Sequence, residues 1–290
     1  MSFLGQLVAS SRPVSWVNTA YPFAVAYWLN TGKISLTLVI GTLFFLVPYN
    51  LLMYGVNDVF DYESDLRNPR KGGIEGALLN PKYHRPTLWA AALSCVPFVV
   101  YLVVVGSVSS SLWLALFLFT VVAYSVKGLR FKEIPFLDSL TSASHFVGPM
   151  IFGVSLAGGD LTNLSLLMLI AAFAFWGAAS HAFGAVQDVS ADRAASISSI
   201  ATVIGARATT RLATVLYLAA CALVLAAGGP AAQAIVPGLL YAVVVARYWN
   251  ITDATCEQAN RGWRSFIWLN FFAGSVVTLL VLNFAASKSY

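Results

Sequence analysis

The chain has 290 residues, of which 59% are hydrophobic and 10% are charged. Soluble domains average about 25% charged residues, so this composition excludes an ordinary soluble protein. The net charge of +5 comes from basic residues between apolar segments, a pattern typical of membrane proteins and not of a nucleic-acid-binding surface. We expect residues 1–290 to form one membrane-embedded domain. We expect Cys95, Cys221 and Cys256 to be inert thiols, because their spacing matches no metal site or disulfide framework.

Membrane crossings are predicted from the intervals that lack charged residues, because a charge near the bilayer centre costs roughly 2.5 kcal/mol or more. Two intervals are long enough for two helices each, and turn-forming runs at 106–111 and 228–230 divide them. An all-α fold with nine transmembrane helices is therefore predicted. The intervals are 13–32, 34–57, 86–126, 139–159, 161–187, 212–246 and 265–287.

The basic residues predict the orientation of these helices. Fifteen of the 17 Lys and Arg residues fall on the side of the N-terminus, and only Lys33 and Lys288 fall on the other side. Because basic loops accumulate in the cytoplasm, we expect a cytoplasmic N-terminus and a multi-pass protein of the cell membrane. We also expect the first helix to be retained, since it lacks the compact apolar core of a cleaved signal peptide.

An acidic segment follows the second predicted helix. If the helix continues, Asn57, Asp61 and Asp65 are spaced by four residues and lie on one face, whereas Asp58 and Glu63 point elsewhere. Oxygen ligands of this kind suit Mg²⁺, which binds one or two carboxylates together with substrate phosphates and water. The segment therefore predicts a magnesium–diphosphate site on the cytoplasmic side.

A second acidic pair, Asp188 and Asp192, follows the sixth predicted helix, and His181 lies seven residues earlier on the same stripe. The two acidic segments are four helices apart, which suggests a repeat of helices one to four and five to eight, with helix nine appended. Acidic residues in a loop can also be merely solvated. Two such pairs in matching positions favour a metal site, because clustered carboxylates repel one another without a cation.

Basic residues flank both acidic segments. Arginine and lysine can hold a departing diphosphate, although basic loops also serve topology alone. The candidates are Arg12, Arg67, Arg70, Lys71, Lys127, Arg130, Lys132 and Arg193.

Together these residues resemble the UbiA-type intramembrane prenyltransferases. The resemblance covers most of the chain and departs from the family at Ser196, where the family often has glycine. Its motifs are NDxxDxxxD at Asn57, Asp58, Asp61 and Asp65, DxxxD at Asp188 and Asp192, and the basic stretch 124–132.

The resemblance implies a nine-helix bundle around a central cavity, where two Mg²⁺ ions bridge a prenyl diphosphate to both motifs. The implied metal ligands are Asn57, Asp61, Asp65, Asp188 and Asp192. The implied catalytic residues are Asp61, Asp65, Asp188, Asp192 and Tyr124. The implied diphosphate-binding residues are Arg12, Arg67, Lys71, Arg130 and Lys132. Aromatic faces that could shelter a carbocation include Tyr49, Tyr54, Phe60, Tyr124, Trp176 and Phe183, although most aromatic residues must serve packing.

The stretch 57–73 looks closest to the carotenoid branch of the family, the lycopene elongases. That resemblance implies dimethylallyl diphosphate as donor and lycopene as a lipophilic acceptor, and water capture or proton loss ends the reaction. Candidates to assist this last step are Asp138, His145 and His181, and the alternative for each is a role in helix packing or hydrogen bonding. An aromatic quinone precursor or a tetrapyrrole-type acceptor is the alternative, and a membrane transporter is a distant one. We expect contact with membrane lipid, and neither a nucleic acid nor an obligate protein partner.

Overall fold

A computed structural model describes residues 2–66 and 78–288 of the chain. All regular secondary structure in these residues is helical, and the chain divides into two compact units. The first unit comprises Met1–Phe131 and His145–Asp160, and the second comprises Lys132–Ser144 and Leu161–Tyr290.

The first unit contains seven helices and part of an eighth. They are α1 (Phe3–Ser10), α2 (Trp16–Thr31), α3 (Leu36–Leu46), α4 (Pro48–Phe60), α5 (Tyr62–Asp65), α6 (His84–Val105) and α7 (Val108–Ser125). Helix α8 (Leu137–Leu156) contributes residues 145–156 to this unit and residues 137–144 to the second. An aromatic core of Phe23, Phe44, Phe45, Tyr49 and Phe152 lies inside the first unit.

The second unit continues with helices of very different lengths. They are α9 (Leu164–Val186), α10 (Val189–Ala194), α11 (Ile200–Ile204), α12 (Ala206–Ala227), α13 (Ile235–Ala246) and α14 (Ala259–Lys288). Short 3-10 segments at Gly229–Ala234 and Asp253–Gln258 precede α13 and α14. Its core includes the buried rings of Phe183, Tyr217, Tyr241 and Phe266.

Seven helical segments of the described residues are long and apolar enough to cross a membrane. They are Leu36–Phe60, Pro81–Val105, Val108–Ser125, Leu164–Val186, Ala206–Ala227, Gly229–Ala246 and Asp253–Ser287. They match seven of the nine predicted crossings. The other two predicted positions are occupied by α2, with 16 residues, and by α8, with 20.

Helix breaks are present at both turn-forming runs inside the long apolar intervals. Helix α6 ends at Val105 and α7 begins at Val108, where Ser107 accepts a hydrogen bond from the Ser110 backbone at 3.1 Å. Helix α12 ends before Gly228 and Gly229, whose φ values of 73° and 59° favour glycine. Turn-forming residues therefore divide the chain where the sequence predicts.

The second predicted helix is not continuous. Helix α3 ends at Leu46 and α4 begins at Pro48, because proline lacks the N–H that a helix interior requires. The Asn50 amide donates to the carbonyls of Phe45 and Leu46 at 2.8 and 3.1 Å. The Thr19 hydroxyl also donates to the Phe45 carbonyl, at 2.7 Å. These bonds satisfy carbonyl groups that the break leaves without a helical partner.

Candidate active site

The first acidic motif lies at the end of α4, where the helical path continues into α5. The Asp61 N–H donates to the Asn57 carbonyl at 2.9 Å, and the Asp65 N–H donates to the Asp61 carbonyl at 2.8 Å. The predicted helical stacking of Asn57, Asp61 and Asp65 is therefore present. The Asn57 amide nitrogen donates to Asp61 Oδ2 at 2.6 Å and to Ser125 Oγ at 3.0 Å. Asn57 thus retains its amide oxygen as the atom suited to a metal ion.

Burial distinguishes the aspartates of this motif from ordinary loop carboxylates. Asp58, Asp61 and Asp65 are only 1%, 5% and 7% exposed. Burying an ionised carboxylate is costly unless a cation or a set of hydrogen bonds compensates it. The merely solvated alternative therefore does not describe this segment.

Two arginines of the first unit contact the buried carboxylates. Arg12 Nη2 lies 3.0 Å from Asp58 Oδ1, and the guanidinium covers the Tyr54 ring at 4.2 Å from its centroid. Arg130 Nη2 lies 3.7 Å from Asp61 Oδ1. Arg12 and Arg130 have positive φ values of 52° and 43°, which are uncommon outside glycine and occur often at functional sites. Asp58, predicted to point elsewhere, is the partner of Arg12.

Lys132 is the one further residue of the implied diphosphate-binding set that the structure describes. Lys132 lies in the 3-10 segment Phe131–Glu133 at the start of the second unit. Arg67, Arg70 and Lys71 lie outside the residues that the structure describes.

Tyr124 lies one residue before the Ser125 hydroxyl that accepts from Asn57. Its ring packs edge-on against the His145 ring, with centroids 5.2 Å apart and an interplanar angle of 81°. The carbonyl of His145 accepts a hydrogen bond from the Tyr49 hydroxyl at 3.2 Å. Tyr124 and His145 are therefore positioned together near the end of α7, within the first unit.

The second acidic motif begins where α9 ends. Asp188 precedes α10, and the Asp192 N–H donates to the Asp188 carbonyl at 2.8 Å, so the predicted one-turn spacing is confirmed. Both aspartates are half-buried, in contrast to those of the first motif. Ser196 follows with a φ of 57°, a left-handed conformation that glycine adopts without strain.

Two residues that the sequence placed near the chemistry serve other contacts. Arg193 Nη1 pairs with Asp253 Oδ2 at 2.6 Å, and Nη2 donates to the Thr202 carbonyl at 2.8 Å. Asp138, which is fully buried, accepts from the Ile200 N–H at 2.7 Å. Asp138 therefore caps α11, since a short helix leaves its first N–H groups without partners. Sequence reasoning missed Asp253, which carries no local signal because Arg193 is 60 residues away.

His181 and the proposed carbocation-sheltering rings can be placed in the same way. His181 Nδ1 lies 3.0 Å from Ser139 Oγ, which ties α9 to the start of α8. Tyr49 and Phe183 are fully buried in the cores of their own units, so packing accounts for both. Trp176 packs edge-on against Tyr241, with centroids 5.7 Å apart.

The oxygen ligands of each motif fit Mg²⁺ better than a metal held by protein alone. Across the described parts of the chain, no three His, Cys, Asp or Glu side chains are gathered at a metal-binding spacing. Asp61 and Asp65 supply two carboxylates in the first motif, and Asp188 and Asp192 supply two in the second. Mg²⁺ accepts such sparse oxygen ligands because phosphate oxygens and water complete its octahedral shell.

Known proteins resemble this chain over most of its length. The UbiA prenyltransferase family model matches residues 19–275. A lycopene elongase/hydratase from Corynebacterium glutamicum is 55% identical over 278 residues, covering 95% of this chain and 96% of the relative. The C(50) beta-cyclic carotenoids biosynthesis protein LbtBC from Dietzia sp. is 60% identical over 280 residues, which cover 96% of this chain but 65% of that relative.

Solved structures show the same fold. A UbiA homolog from Archaeoglobus fulgidus bound to GPP and Mg²⁺ has a TM-score of 0.70 and 17% identity, covering 93% of this chain and 99% of that one. The same homolog bound to DMAPP and Mg²⁺ has a TM-score of 0.68, 20% identity and the same coverage. The family model matches most of the chain, and seven helical segments are apolar and long enough to cross a membrane. The chain therefore belongs to the UbiA prenyltransferase family and is an integral membrane prenyltransferase.

Proposed function

We propose that this enzyme transfers the prenyl group of dimethylallyl diphosphate to lycopene in a Mg²⁺-dependent reaction. The observation that carries the proposal is the first acidic motif, where two buried carboxylates and an asparagine amide stack on one helical face beside Arg130. The choice of lycopene is supported by the lycopene elongase/hydratase of C. glutamicum, which aligns over 96% of its length. DMAPP as donor is supported by the A. fulgidus structure that contains it.

The metal-binding residues in this proposal are those of both motifs: Asn57, Asp61, Asp65, Asp188 and Asp192. Bound Mg²⁺ would supply Lewis-acid stabilisation of the diphosphate as its charge develops. Asn57 orients Asp61 through the 2.6 Å bond from its amide nitrogen, so the amide oxygen and the carboxylate stay on the same face. We assign the same ligand role to Asp188 and Asp192 in the second motif.

The basic residues hold the diphosphate while the carbon–oxygen bond breaks and the leaving group keeps the electron pair. Arg130 is the best placed, because its guanidinium lies beside Asp61 and its backbone is already held at a positive φ. Lys132, Arg67 and Lys71 are assigned the same role. Arg12, which contacts Asp58 and the Tyr54 ring, is also assigned to diphosphate binding.

The chain's apolar surroundings serve the second half of the reaction. The allylic cation adds to the terminal double bond of lycopene, and the resulting cation captures water or loses a proton. Exclusion of bulk water keeps the first cation from being quenched before the acceptor attacks. Tyr124, whose ring is fixed against His145, is the aromatic residue of the first unit that we assign to this region.

We further propose that the chain is one UbiA-type domain over residues 1–290 with nine crossings, α2 and α8 being the two in addition to the seven apolar segments. The N-terminus and the active site face the cytoplasm in this proposal. It is supported by the 15 of 17 basic residues that lie on that side of the predicted topology. A cysteine introduced at Lys33 should react with an impermeant maleimide from outside the cell, whereas one introduced at Lys82 should not.

The function is tested with membranes that contain the chain, Mg²⁺ and labelled dimethylallyl diphosphate, with lycopene and an aromatic acceptor offered separately. We expect label in an elongated carotenoid, its loss in Asp61→Ala, and its retention in Asp160→Asn, a change at an exposed acidic residue outside both motifs. Label in the aromatic product alone would overturn the assignment of lycopene. Absence of transfer to either acceptor would contradict both the assignment of dimethylallyl diphosphate as donor and the proposed reaction.

A further inference from the structure

Two aspartates outside the acidic motifs hold the segment that follows Asp188 and Asp192. Asp138 Oδ2 accepts from the Ile200 N–H at the start of α11, and Asp253 Oδ1 accepts from the Ala206 N–H at the start of α12. Both distances are 2.7 Å. Gly205, the residue that precedes α12, has no side chain with which to cap it. The segment between the two helix starts is therefore fixed by acceptors that come from elsewhere in the second unit.

Arg193 connects this segment to the second acidic motif. Its guanidinium donates to Asp253 through Nη1 at 2.6 Å and to the Thr202 carbonyl through Nε and Nη2 at 3.1 and 2.8 Å. The Ser190 hydroxyl donates to the Asp253 carbonyl at 3.1 Å. Asp253 thus binds α10 on both sides of Asp192, the residue that immediately precedes Arg193.

Helix α10 needs such external support. It has only six residues, and isolated helices shorter than about 12 residues are marginal in water. The geometry of α10 must therefore come from tertiary contacts. Its contacts to Asp253 are made by Ser190 and Arg193, which lie on either side of Asp192 in the sequence. The Arg193 and Asp253 side chains are 44% and 42% exposed, so their ion pair contributes little to global stability. Its effect is expected to be local.

We propose that Asp253, acting through Arg193, is a positioning residue that holds Asp188 and Asp192 in the arrangement that Mg²⁺ and the diphosphate require. This inference rests on the proposed function of the second motif. Residues that orient metal ligands without touching the metal commonly change metal affinity or activity by about 10–100-fold when they are substituted. Asp253 fits that role because it contacts α10 and the start of α12 with different groups.

Substitutions can separate the two contacts of the Asp253 carboxylate. Asp253→Asn keeps an oxygen for the Ala206 N–H but removes the charge that Arg193 binds. Arg193→Gln removes the partner, and Arg193→Lys keeps the charge but loses the fork that reaches Thr202. Glu257→Gln is the matched control, because it removes an exposed acidic group from the same 3-10 segment.

The first readout is the Mg²⁺ concentration that gives half-maximal prenyl transfer. We expect it to rise about tenfold in Asp253→Asn and in Arg193→Gln, the lower end of the range because the pair is partly exposed. We expect kcat at saturating Mg²⁺ to change less than about twofold, Arg193→Lys to be intermediate, and the double variant to resemble either single one. The proposal would be overturned if the Mg²⁺ concentration for half-maximal transfer were equal in Asp253→Asn, Glu257→Gln and wild type.

The second readout needs neither metal nor turnover. Hydrogen–deuterium exchange of the Mg²⁺-free protein in detergent should be faster over residues 188–206 in Asp253→Asn than in Glu257→Gln, while α9 and α12 keep their protection. Unchanged exchange over 188–206 would overturn the proposal even if activity fell. Absence of transfer by wild type would contradict the proposed function instead, and the exchange comparison would still decide whether Asp253 anchors this segment.

Discussion

The first acidic motif has arginines on its own carboxylates, whereas the arginine of the second motif is paired with an aspartate outside that motif. Arg12 and Arg130 contact Asp58 and Asp61 inside the first unit. Arg193 instead binds Asp253, and the carboxylates of the second motif are half-buried. The two motifs are therefore stabilised differently, by arginines paired with buried aspartates in the first and by a half-exposed ion pair to Asp253 in the second.

This contrast implies different sensitivities to substitution. Removing one partner of a buried pair leaves an uncompensated charge, so changes around the first motif should affect folding as well as chemistry. Changes around the second motif should affect geometry more than stability, because its ion pair is half in water.

Loss of a metal-binding carboxylate should have the largest effect. We expect Asp61→Ala and Asp188→Ala each to lower prenyl transfer about a thousandfold or more, because Mg²⁺ supplies several kcal/mol of charge stabilisation to the leaving diphosphate. Transfer from labelled dimethylallyl diphosphate measures both variants, and Asp160→Asn is the control. A tenfold loss or less in either variant would remove that aspartate from the site.

The next largest effect is on stability, and it distinguishes the Arg12–Asp58 ion pair from the Arg193–Asp253 ion pair. We expect Asp58→Ala to lower the free energy of unfolding by about 3 kcal/mol, because it leaves Arg12 without its buried partner. Asp253→Asn should lower it by less than about 1 kcal/mol. Denaturation in detergent measures both changes. Equal losses in the two variants would show that burial does not distinguish the pairs.

Substitution of Arg130 should have a smaller effect, confined to the binding of the prenyl diphosphate. We expect Arg130→Gln to raise KM for the prenyl diphosphate about tenfold, since a hydrogen bond to a charged group contributes about 1.5–3 kcal/mol. Initial rates at varied donor concentration and saturating Mg²⁺ provide the measurement. An unchanged donor KM would assign Arg130 only to holding Asp61.

The smallest effect is expected at Ser196, four residues after the second motif. Ser196→Gly should raise the free energy of unfolding by about 0.5 kcal/mol, because glycine adopts a φ of 57° without strain but loses more chain entropy. Ser196→Val should be destabilising, since a β-branched residue fits this conformation poorly. Thermal unfolding compares the two, and a more stable Val variant would contradict the assigned backbone.

Local patterns predicted most of the helices. Charge-free intervals and turn residues predicted the breaks at Ser107 and Gly228 because both signals act within a few residues along the chain. The spacing of Asp61 and Asp65 also predicted their stacking. The break before Pro48 was missed, since an apolar interval carries no signal for interruption other than the proline itself.

Contacts between distant residues could not be predicted in the same way. Arg12 and Asp58 are 46 residues apart, and Arg193 and Asp253 are 60 apart. In a chain with 17 basic residues, neither composition nor spacing selects one partner. Asp138 illustrates the same limit, because a buried helix cap and an acid–base residue look alike until the Ile200 N–H is located.

We expect both acidic motifs to be needed for Mg²⁺-dependent binding of the donor. The decisive measurement is equilibrium binding of labelled dimethylallyl diphosphate to wild type, Asp61→Ala and Asp188→Ala, without acceptor, in Mg²⁺ or in EDTA. We predict binding to wild type in Mg²⁺ only, and no Mg²⁺-dependent binding to either variant. Undiminished Mg²⁺-dependent binding to one of the two variants would contradict this expectation, because a single motif would then be sufficient.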